Sequence, residues 1–284
     1  MWHEQTCNLG SDRSLHAAQT GSGPDLVLIH GALTTSHDWR TSPVAQALAP
    51  THRVTAVDRP GHGRSRRRRF EGTPRDQADQ IAEGLEQLGI RRAIVVGHSF
   101  GGLVTLALAE RHPDLFAAMI LLSPIAFPEP RLMEQLLLAP RAIPLAGPAL
   151  SRFAEAMRLD AMALPLFHKI MFHPQDVPAA WHETYPFADI LDPQALVFEG
   201  EDAAATLPLS AGGTIAIGEI QIPAQVLIGT SDKVIDETRQ AAAVAALLPK
   251  GRIGRIEGGG HMIHHTHPDR ILSAIREASA TQPA

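Results

Sequence analysis

Short apolar runs alternate with longer segments of mixed polarity along this chain of 284 residues. Four or five apolar residues in succession are typical of a strand buried on both faces, whereas apolar residues three or four apart are typical of a helix with one buried face. The pattern predicts strands at 26–29, 53–57, 93–96, 118–122, 225–228 and 252–256. It predicts helices at 35–49, 75–88, 101–111, 236–248 and 268–278. This alternation indicates an α/β fold, with a mostly parallel sheet that has helices on both faces.

Two further extended segments are predicted within residues 5–20, near the N-terminus. They flank the polar turn Gly10-Ser11-Asp12-Arg13 and would form a hairpin at one edge of the sheet. With the hairpin, the predicted sheet has eight strands.

The alternation stops between Pro124 and Ile222. This segment holds 12 of the 22 prolines and 8 of the 13 aromatic residues, and its helical patches, 132–138 and 153–162, are short and apolar. Because it leaves the sheet after one strand and returns before the next, it should lie over the crevice where α/β sheets bind ligands. We therefore expect a core of residues 1–123 and 223–284 and an inserted lid of residues 124–222. The alternative is a small packing domain that does not contact substrate.

Composition and charge exclude several classes of partner. The chain is 44% apolar and 19% charged, as globular proteins are, and its net charge of −5 gives no reason to expect nucleic acid. Cys7 is the single cysteine, so no intrachain disulfide can form. No stretch resembles a signal peptide or reaches the roughly 18 apolar residues of a membrane span. We expect a cytoplasmic protein without a membrane span, and the sequence leaves its oligomeric state open.

Residues 94–103 join a buried strand, a serine between glycines and the start of an apolar helix. Gly97-His98-Ser99-Phe100-Gly101 has the G-x-S-x-G form of a nucleophile elbow, whose tight turn lifts the serine hydroxyl above the sheet. The free N–H groups at the start of the helix then face any negative charge that forms on a substrate. The five-residue pattern alone is common, but its place between a strand and a helix makes Ser99 the candidate nucleophile.

A serine nucleophile needs a base to take its proton and a carboxylate to orient that base. His261 follows three glycines beyond the last predicted strand and is the candidate base. Asp232 follows the strand at 225–228 and is the candidate acid. Two other carboxylates lie nearby, but Asp236 is placed to cap the next helix and Glu257 is still close to its strand.

Four histidines near the C-terminus resemble a metal cluster: His261, His264, His265 and His267. Metal ligands on a helix should share one face, and no second set of Cys, Asp or Glu completes this group. We therefore predict no metal site.

The loop that follows the first buried strand predicts part of an oxyanion hole. Gly31 lets the backbone approach a substrate, so the N–H of Ala32, or that of Leu33, can pair with the N–H of Phe100. His30 is interpreted as structural. The later glycine-rich loop 58–65 is interpreted as a tight turn, and the basic run 66–69 as a solvated loop.

Taken together, the motifs resemble those of the α/β-hydrolase superfamily, in the group that has a lid between the sixth and seventh strands. The matching pieces occur in the family's order: His30-Gly31, Asp58-Arg59-Pro60-Gly61-His62-Gly63-Arg64-Ser65, Gly97-His98-Ser99-Phe100-Gly101-Gly102, Gly229-Thr230-Ser231-Asp232 and Gly260-His261. The resemblance implies nucleophile Ser99, acid Asp232, base His261 and no cofactor. It does not determine the substrate, because the fold has many activities.

Some branches of the superfamily fit less well than others. Haloalkane dehalogenases and epoxide hydrolases have an aspartate where this chain has Ser99. Carbon–carbon bond hydrolases usually have tryptophan after the base, where this chain has Met262, and a longer glycine-rich oxyanion loop.

The hypothesis that fits best is a carboxylesterase for small esters with an apolar or aromatic acyl group. The candidate substrate-binding residues are Leu33, His98, Phe127, Leu136, Phe153, Met157, Met162, Phe167, Met171, Phe172, Trp181 and Met262. Those in the lid could equally form its own core. Two alternatives remain open: carbon–carbon bond hydrolysis or cofactor-free perhydrolysis with the same three residues, and a small-molecule receptor that retains them.

Overall fold

A twisted eight-stranded sheet forms the centre of the protein, and the computed structural model describes residues 1–128, 132–206 and 215–280, with only the backbone of 132–134. The strands are β1 (His3–Asn8), β2 (Ser14–Thr20), β3 (Asp25–Ile29), β4 (Arg53–Val57), β5 (Ala93–His98), β6 (Phe116–Leu122), β7 (Ala224–Gly229) and β8 (Gly251–Ile256). Their order across the sheet is β1-β2-β4-β3-β5-β6-β7-β8. The pairs β1–β2 and β2–β4 are antiparallel and the others parallel. The predicted fold class, hairpin and internal strands are confirmed.

The helices lie between the strands and in one long insertion. They are α1 (Ser36–Thr41), α2 (Pro43–Leu48), α3 (Pro74–Gln87), α4 (Phe100–Arg111), α5 (Leu132–Leu137), α6 (Ala146–Ala156), α7 (Leu159–Phe172), α8 (Ala179–Thr184), α9 (Phe187–Ile190), α10 (Pro193–Ala205), α11 (Ala243–Leu247), α12 (Ile263–Thr266) and α13 (Pro268–Ala280). We call residues 124–222, between β6 and β7, the insertion. Helices α5 to α10 belong to it.

Both faces of the sheet are buried, which explains the continuous apolar runs. On β3, Val27 and Ile29 pack in the cluster that contains Ile81 of α3 and residues of α4. The alternate residues Leu26 and Leu28 pack on the opposite face, in the cluster that contains residues of α1, α2 and α13. Successive side chains of a strand point to opposite faces, so a strand covered on both sides needs an apolar residue at every position.

Three predicted helices differ in the structure. The helix predicted at 35–49 is two helices, because Ser42 is extended and its hydroxyl caps α2, which begins at Pro43. The helix predicted at 236–248 begins instead with a π-helical turn, Thr238–Ala242, before α11. The prediction of a single helix at 153–162 is wrong, because α6 ends at Ala156 and Arg158 has the left-handed conformation, with φ 54°. Glycine is the usual residue in this conformation, and an arginine in its place does not predict a helix break.

The insertion packs on loops that follow strands β3 and β8. Leu33 and Met262, from those two loops, belong to the same buried cluster as Leu164, Phe172 and Trp181 of the insertion. The insertion therefore lies at the carboxyl edge of the sheet, where the predicted site residues also lie. Within the described part of the chain, no helix is both long enough and apolar enough to cross a membrane.

Candidate active site

Ser99 occupies a strained turn between β5 and α4. Its φ of 53° and ψ of −119° lie outside the regions that most side chains adopt. Its N–H donates to the Leu122 carbonyl at 2.9 Å, and its own carbonyl accepts from the N–H groups of Gly102 and Ile125 at 2.9 and 3.1 Å. These hydrogen bonds on both sides of the residue hold the strained backbone in place.

Two glycines make this turn sterically possible. A Cβ atom on Gly97 would lie 2.2 Å from Thr105 Oγ1, and one on Gly101 would lie 2.4 Å from the His30 carbonyl oxygen. Both distances are shorter than non-bonded atoms tolerate, so only glycine fits. The glycines of the motif thus allow α4 to pack directly against β5 and the end of β3.

His261 and Asp232 form a hydrogen-bonded pair on the loops that follow β8 and β7. The Nδ1–H of His261 donates to Asp232 Oδ2 at 2.8 Å, and both side chains are buried. A carboxylate can only accept, so the shared proton belongs to Nδ1, and the neutral form of the ring has its lone pair on Nε2. This tautomer is the one that a general base requires.

Asp232 also accepts the N–H groups of Val234 and Ile235, at 2.8 and 3.0 Å. Burial alone would raise the pKa of its carboxyl. The charge and hydrogen bond of His261, together with the two backbone N–H groups, outweigh burial and hold this pKa below its ordinary value. Asp232 is therefore an anion at neutral pH.

His98 supports the loop that carries His261. Its Nε2–H donates to the His261 carbonyl at 3.2 Å, and its ring contacts those of His261 and His264, with centroids 4.7 and 4.6 Å away. Burial, and then the charges of His264 and His261, hold the pKa of His98 well below its usual range. The neutral ring packs beside the turn that holds Ser99. From the insertion, the Met171 carbonyl accepts the His261 N–H at 3.1 Å.

The loop after β3 passes close to the serine. A Cβ atom on Gly31 would lie 3.2 Å from Ser99 Cβ, so the backbone approaches the turn at Ser99 closely at this point. The next residues are Ala32 and Leu33, and Leu33 has a left-handed φ of 51°. The Leu33 N–H donates to Glu199 Oε1 at 2.7 Å. Of the two N–H groups considered for the oxyanion hole, that of Leu33 is therefore already engaged.

A buried charge cluster lies behind this loop. The Asp202 carboxylate accepts from Arg59 at 2.5 Å, His62 at 2.9 Å, Gln77 at 2.9 Å and Arg67 at 3.1 Å. Burial would raise the pKa of Asp202, but the charges of Arg59, Arg67 and His62 hold it far below its ordinary value. Ion pairs from Asp202 to Arg59 and Arg67 thus hold the insertion against the core.

The expectation that the basic run 66–69 is a solvated loop is wrong for Arg67, whose side chain is fully buried. Arg69 of the same run pairs with Glu201. The acidic partners are 132 and 135 residues later in the chain, so local charge pattern could not reveal them.

A second buried carboxylate, Asp38, links the insertion to the His261 region. It accepts from His265 at 2.7 Å, His264 at 2.9 Å and the indole N–H of Trp181 at 3.0 Å. Burial would raise the pKa of Asp38, but the charges and hydrogen bonds of His264 and His265 hold it well below its usual range. Trp181, a predicted substrate residue, is therefore a buried contact between the insertion and the core.

Within the residues that the structure describes, two groups of side chains come within the reach of a single metal ion: Asp38 with His98 and His264, and His62 with Glu199 and Asp202. In the first group, both carboxylate oxygens of Asp38 already accept hydrogen bonds from N–H donors. In the second, both nitrogens of His62 face carboxylates, and Arg59 and Arg67 lie alongside. Adjacent guanidinium charges oppose a cation. We assign neither group as a metal site.

An apolar cavity of ≈ 110 Å³ lies inside the insertion, against Leu33. Its lining residues are Leu33, Leu137, Leu138, Asp160, Ala163, Leu164, Leu166, Phe167, Ile170, Leu191 and Leu196. Asp160 is the charged member, and Arg141 donates to it at 2.6 Å. Among the described residues, no basic side chain lines this cavity.

Of the predicted substrate residues, Leu33 and Phe167 line the cavity. Met171, Phe172, Trp181 and Met262 are buried, and Phe127 packs against the core while its N–H donates to Gln240. Four others are more than half exposed: Leu136, Phe153, Met157 and Met162. The prediction missed most of the cavity, although Ala163, Leu166, Phe167 and Ile170 recur on one face of α7 at helical spacing.

Comparison with known proteins supports the fold. A family model described as alpha/beta hydrolase fold matches residues 24–268. The chain is 24% identical over 292 residues to the (E)-2-((N-methylformamido)methylene)succinate hydrolase of Acinetobacter baylyi, covering 98% of this chain and 99% of that protein.

Solved structures agree with the family match. The esterase RhEst1 from Rhodococcus sp. ECU1013 has a TM-score of 0.77 at 24% identity, with 99% of both chains covered. A bromoperoxidase from Bacillus anthracis has a TM-score of 0.76 at 18% identity, with 98% of this chain and 100% of that chain covered. At such identities the likeness concerns the fold alone.

Proposed function

This chain belongs to the alpha/beta hydrolase fold family, and on that premise we propose that it is a serine hydrolase of carboxylic esters with an apolar or aromatic acyl group. The observation that carries the proposal is the buried pair of His261 and Asp232 at the sheet edge where strained Ser99 also lies. A serine at such an elbow, a histidine whose Nδ1–H is held by an acid, and a buried carboxylate as that acid are the parts that acyl transfer requires.

In the proposed reaction, Ser99 Oγ attacks the ester carbonyl carbon while its proton passes to His261 Nε2. The carbonyl π bond opens, and the oxygen takes the negative charge. Asp232 stabilises the imidazolium, which then gives its proton to the leaving alcohol as the carbon–oxygen ester bond breaks. Water, deprotonated by His261, attacks the acyl-enzyme, releases the acid and restores Ser99.

The oxyanion would accept the N–H groups of Ala32 and Phe100. Each such donor is worth about 2.7–4 kcal/mol of activation free energy. The engagement of the Leu33 N–H by Glu199 supports Ala32 over Leu33 for this role. No step uses a cofactor or a metal.

We propose that the insertion is the lid of the site and that its cavity holds the acyl chain. The lining is apolar, and its charged member, Asp160, is already paired with Arg141. A dicarboxylate such as the succinate named for the Acinetobacter relative would need cationic partners, which the described cavity residues do not supply. A neutral apolar ester fits this lining better.

The test is a panel of nitrophenyl esters from acetate to octanoate, with benzoate, assayed beside a vinylogous diketone and a peracid-forming reaction. We expect rapid turnover of butyrate, hexanoate or benzoate esters. Turnover of the diketone or peracid formation without esterase activity would favour carbon–carbon cleavage or perhydrolysis. Ligand-induced thermal shifts without any turnover would favour the receptor alternative.

A further inference from the structure

Two side chains of the insertion hold Leu33 from opposite sides of its backbone. Glu199 Oε1 accepts the Leu33 N–H at 2.7 Å, and the Tyr185 hydroxyl donates to the Leu33 carbonyl at 2.5 Å. Both side chains are buried. Leu33 has a φ of 51°, which a leucine adopts only when its surroundings favour it. These two bonds supply such surroundings.

The preceding peptide group is held as well. The Gly31 carbonyl accepts from Arg59 Nη2 at 3.2 Å and from the Thr34 hydroxyl at 3.2 Å. In a trans peptide the C=O and the following N–H point in opposite directions. Fixing the Gly31 oxygen towards Arg59 therefore fixes the Ala32 N–H in the direction away from the charge cluster.

Glu199 connects the two sets of contacts. Its Oε1 lies 3.3 Å from His62 Nδ1 and 4.0 Å from Arg59 Nη2, in the cluster that also holds Asp202 of the same helix. A carboxylate held between an imidazole and a guanidinium has little freedom to leave the Leu33 N–H. Helix α10 and the loop after β3 thus form one hydrogen-bonded unit.

We propose that Glu199 and Tyr185 are positioning residues that set the Ala32 N–H for the oxyanion and so make transition-state stabilisation depend on the docked insertion. This inference rests on the proposed function, because it assigns Ala32 to the oxyanion hole. Neither side chain touches the reacting atoms in this account. Their effect is on the geometry of the loop.

The test compares Glu199→Met, which removes the acceptor, with Glu199→Gln, which retains an oxygen for the Leu33 N–H. The matched control is Glu201→Gln, a buried carboxylate of the same helix that pairs with Arg69 and does not contact the loop. Tyr185→Phe removes the second contact and leaves the ring in place. If Glu199→Met fails to fold, Tyr185→Phe tests the proposal in its place.

For Glu199→Met we expect kcat on the best ester to fall about 10- to 100-fold with KM within about 2-fold, since the lost interaction belongs to the transition state. Affinity for a trifluoromethyl ketone, which forms a tetrahedral adduct, should fall by a similar factor. Glu199→Gln should recover most of the loss, and Glu201→Gln should match wild type. Equal losses in Glu199→Met and Glu201→Gln, or no loss in Tyr185→Phe, would overturn the proposal.

A second readout does not need turnover. Amide hydrogen exchange of a peptide spanning residues 30–35 should speed up at least about 10-fold in Glu199→Met and not in Glu201→Gln, because the Leu33 N–H loses its acceptor. Faster exchange in a protein that hydrolyses no ester would uphold the positioning contact and refute the esterase. Unchanged exchange and kcat in an active esterase would refute the positioning contact alone.

Discussion

Asp232 accepts hydrogen bonds from three N–H groups, all of which favour its ionised form. The same bonds fix the tautomer of His261, so the two residues act as one unit. Ser99, Asp232 and His261 could be singled out from the sequence because each lies a few residues beyond an apolar strand. Glu199 and Tyr185 could not, because they contact Leu33 across 166 and 152 residues of chain.

Replacing Asp232 by Asn should lower kcat by about 10⁴-fold, with little change in KM, because an amide N–H facing Nδ1 favours the tautomer protonated on Nε2. Steady-state kinetics on the best ester measures the effect. Asp236→Asn is the matched control, since Asp236 is exposed, caps the turn at Arg239 and can be replaced by another capping residue. Similar losses in both variants would contradict the role of Asp232.

Helix α7 is the element that shapes the cavity. Its residues Ala163, Leu166, Phe167 and Ile170 line one face, while Met162 on the same helix is largely exposed. Apolar periodicity predicts such a helix but does not tell which of its faces meets a cavity, because insertion helices pack on one another and not on the sheet. The break at Arg158, which separates α6 from α7, likewise has no local sequence signal.

Phe167→Ala should enlarge the cavity and shift preference towards longer acyl chains. Each additional buried methylene is worth about 0.8 kcal/mol, which is a factor of about 4, so the ratio of kcat/KM for octanoate over butyrate should rise at least about 4-fold. Met162→Ala, at an exposed position of the same helix, should leave the ratio unchanged. An unchanged ratio in Phe167→Ala would show that the acyl chain binds elsewhere.

At the scale of the whole molecule, several histidines are buried and uncharged. Burial is the largest cause that lowers the pKa of His168 to about 4 and that of His30 to about 3. Unfolded chains protonate histidine near pH 6.5. As the pH falls below 6.5, the unfolded state binds protons on these histidines and the folded state does not. The folded state therefore loses stability until the pH reaches the pKa of the folded state.

The protein should therefore lose stability steeply between pH 6.5 and pH 4, by about 1.4 kcal/mol per pH unit for each such histidine. His168 offers a direct check, because neither of its ring nitrogens has a hydrogen-bond partner in the described part of the chain. His168→Leu should reduce the slope of the free energy of unfolding against pH, measured by urea denaturation. The reduction should correspond to about one proton fewer taken up on unfolding. His3→Gln, at an exposed position, should leave this slope unchanged. An equal slope in wild type and His168→Leu would contradict this account.

Ser99, at the strained turn between β5 and α4, carries the central claim of the proposal. Family membership and the eight-stranded sheet could be anticipated from the apolar runs and the glycine-flanked turns, because these depend on neighbours in sequence. The identity of the ester could not, because the cavity is assembled from helices whose packing no local pattern specifies.

The most direct test is the kcat/KM of Ser99→Ala on the best nitrophenyl ester, with folding checked by thermal unfolding. Without its nucleophile the protein should lose at least about 10³-fold in kcat/KM while keeping its Tm, since the remaining groups can only orient substrate and water. Hydrolysis by Ser99→Ala at a rate close to that of wild type would contradict the account.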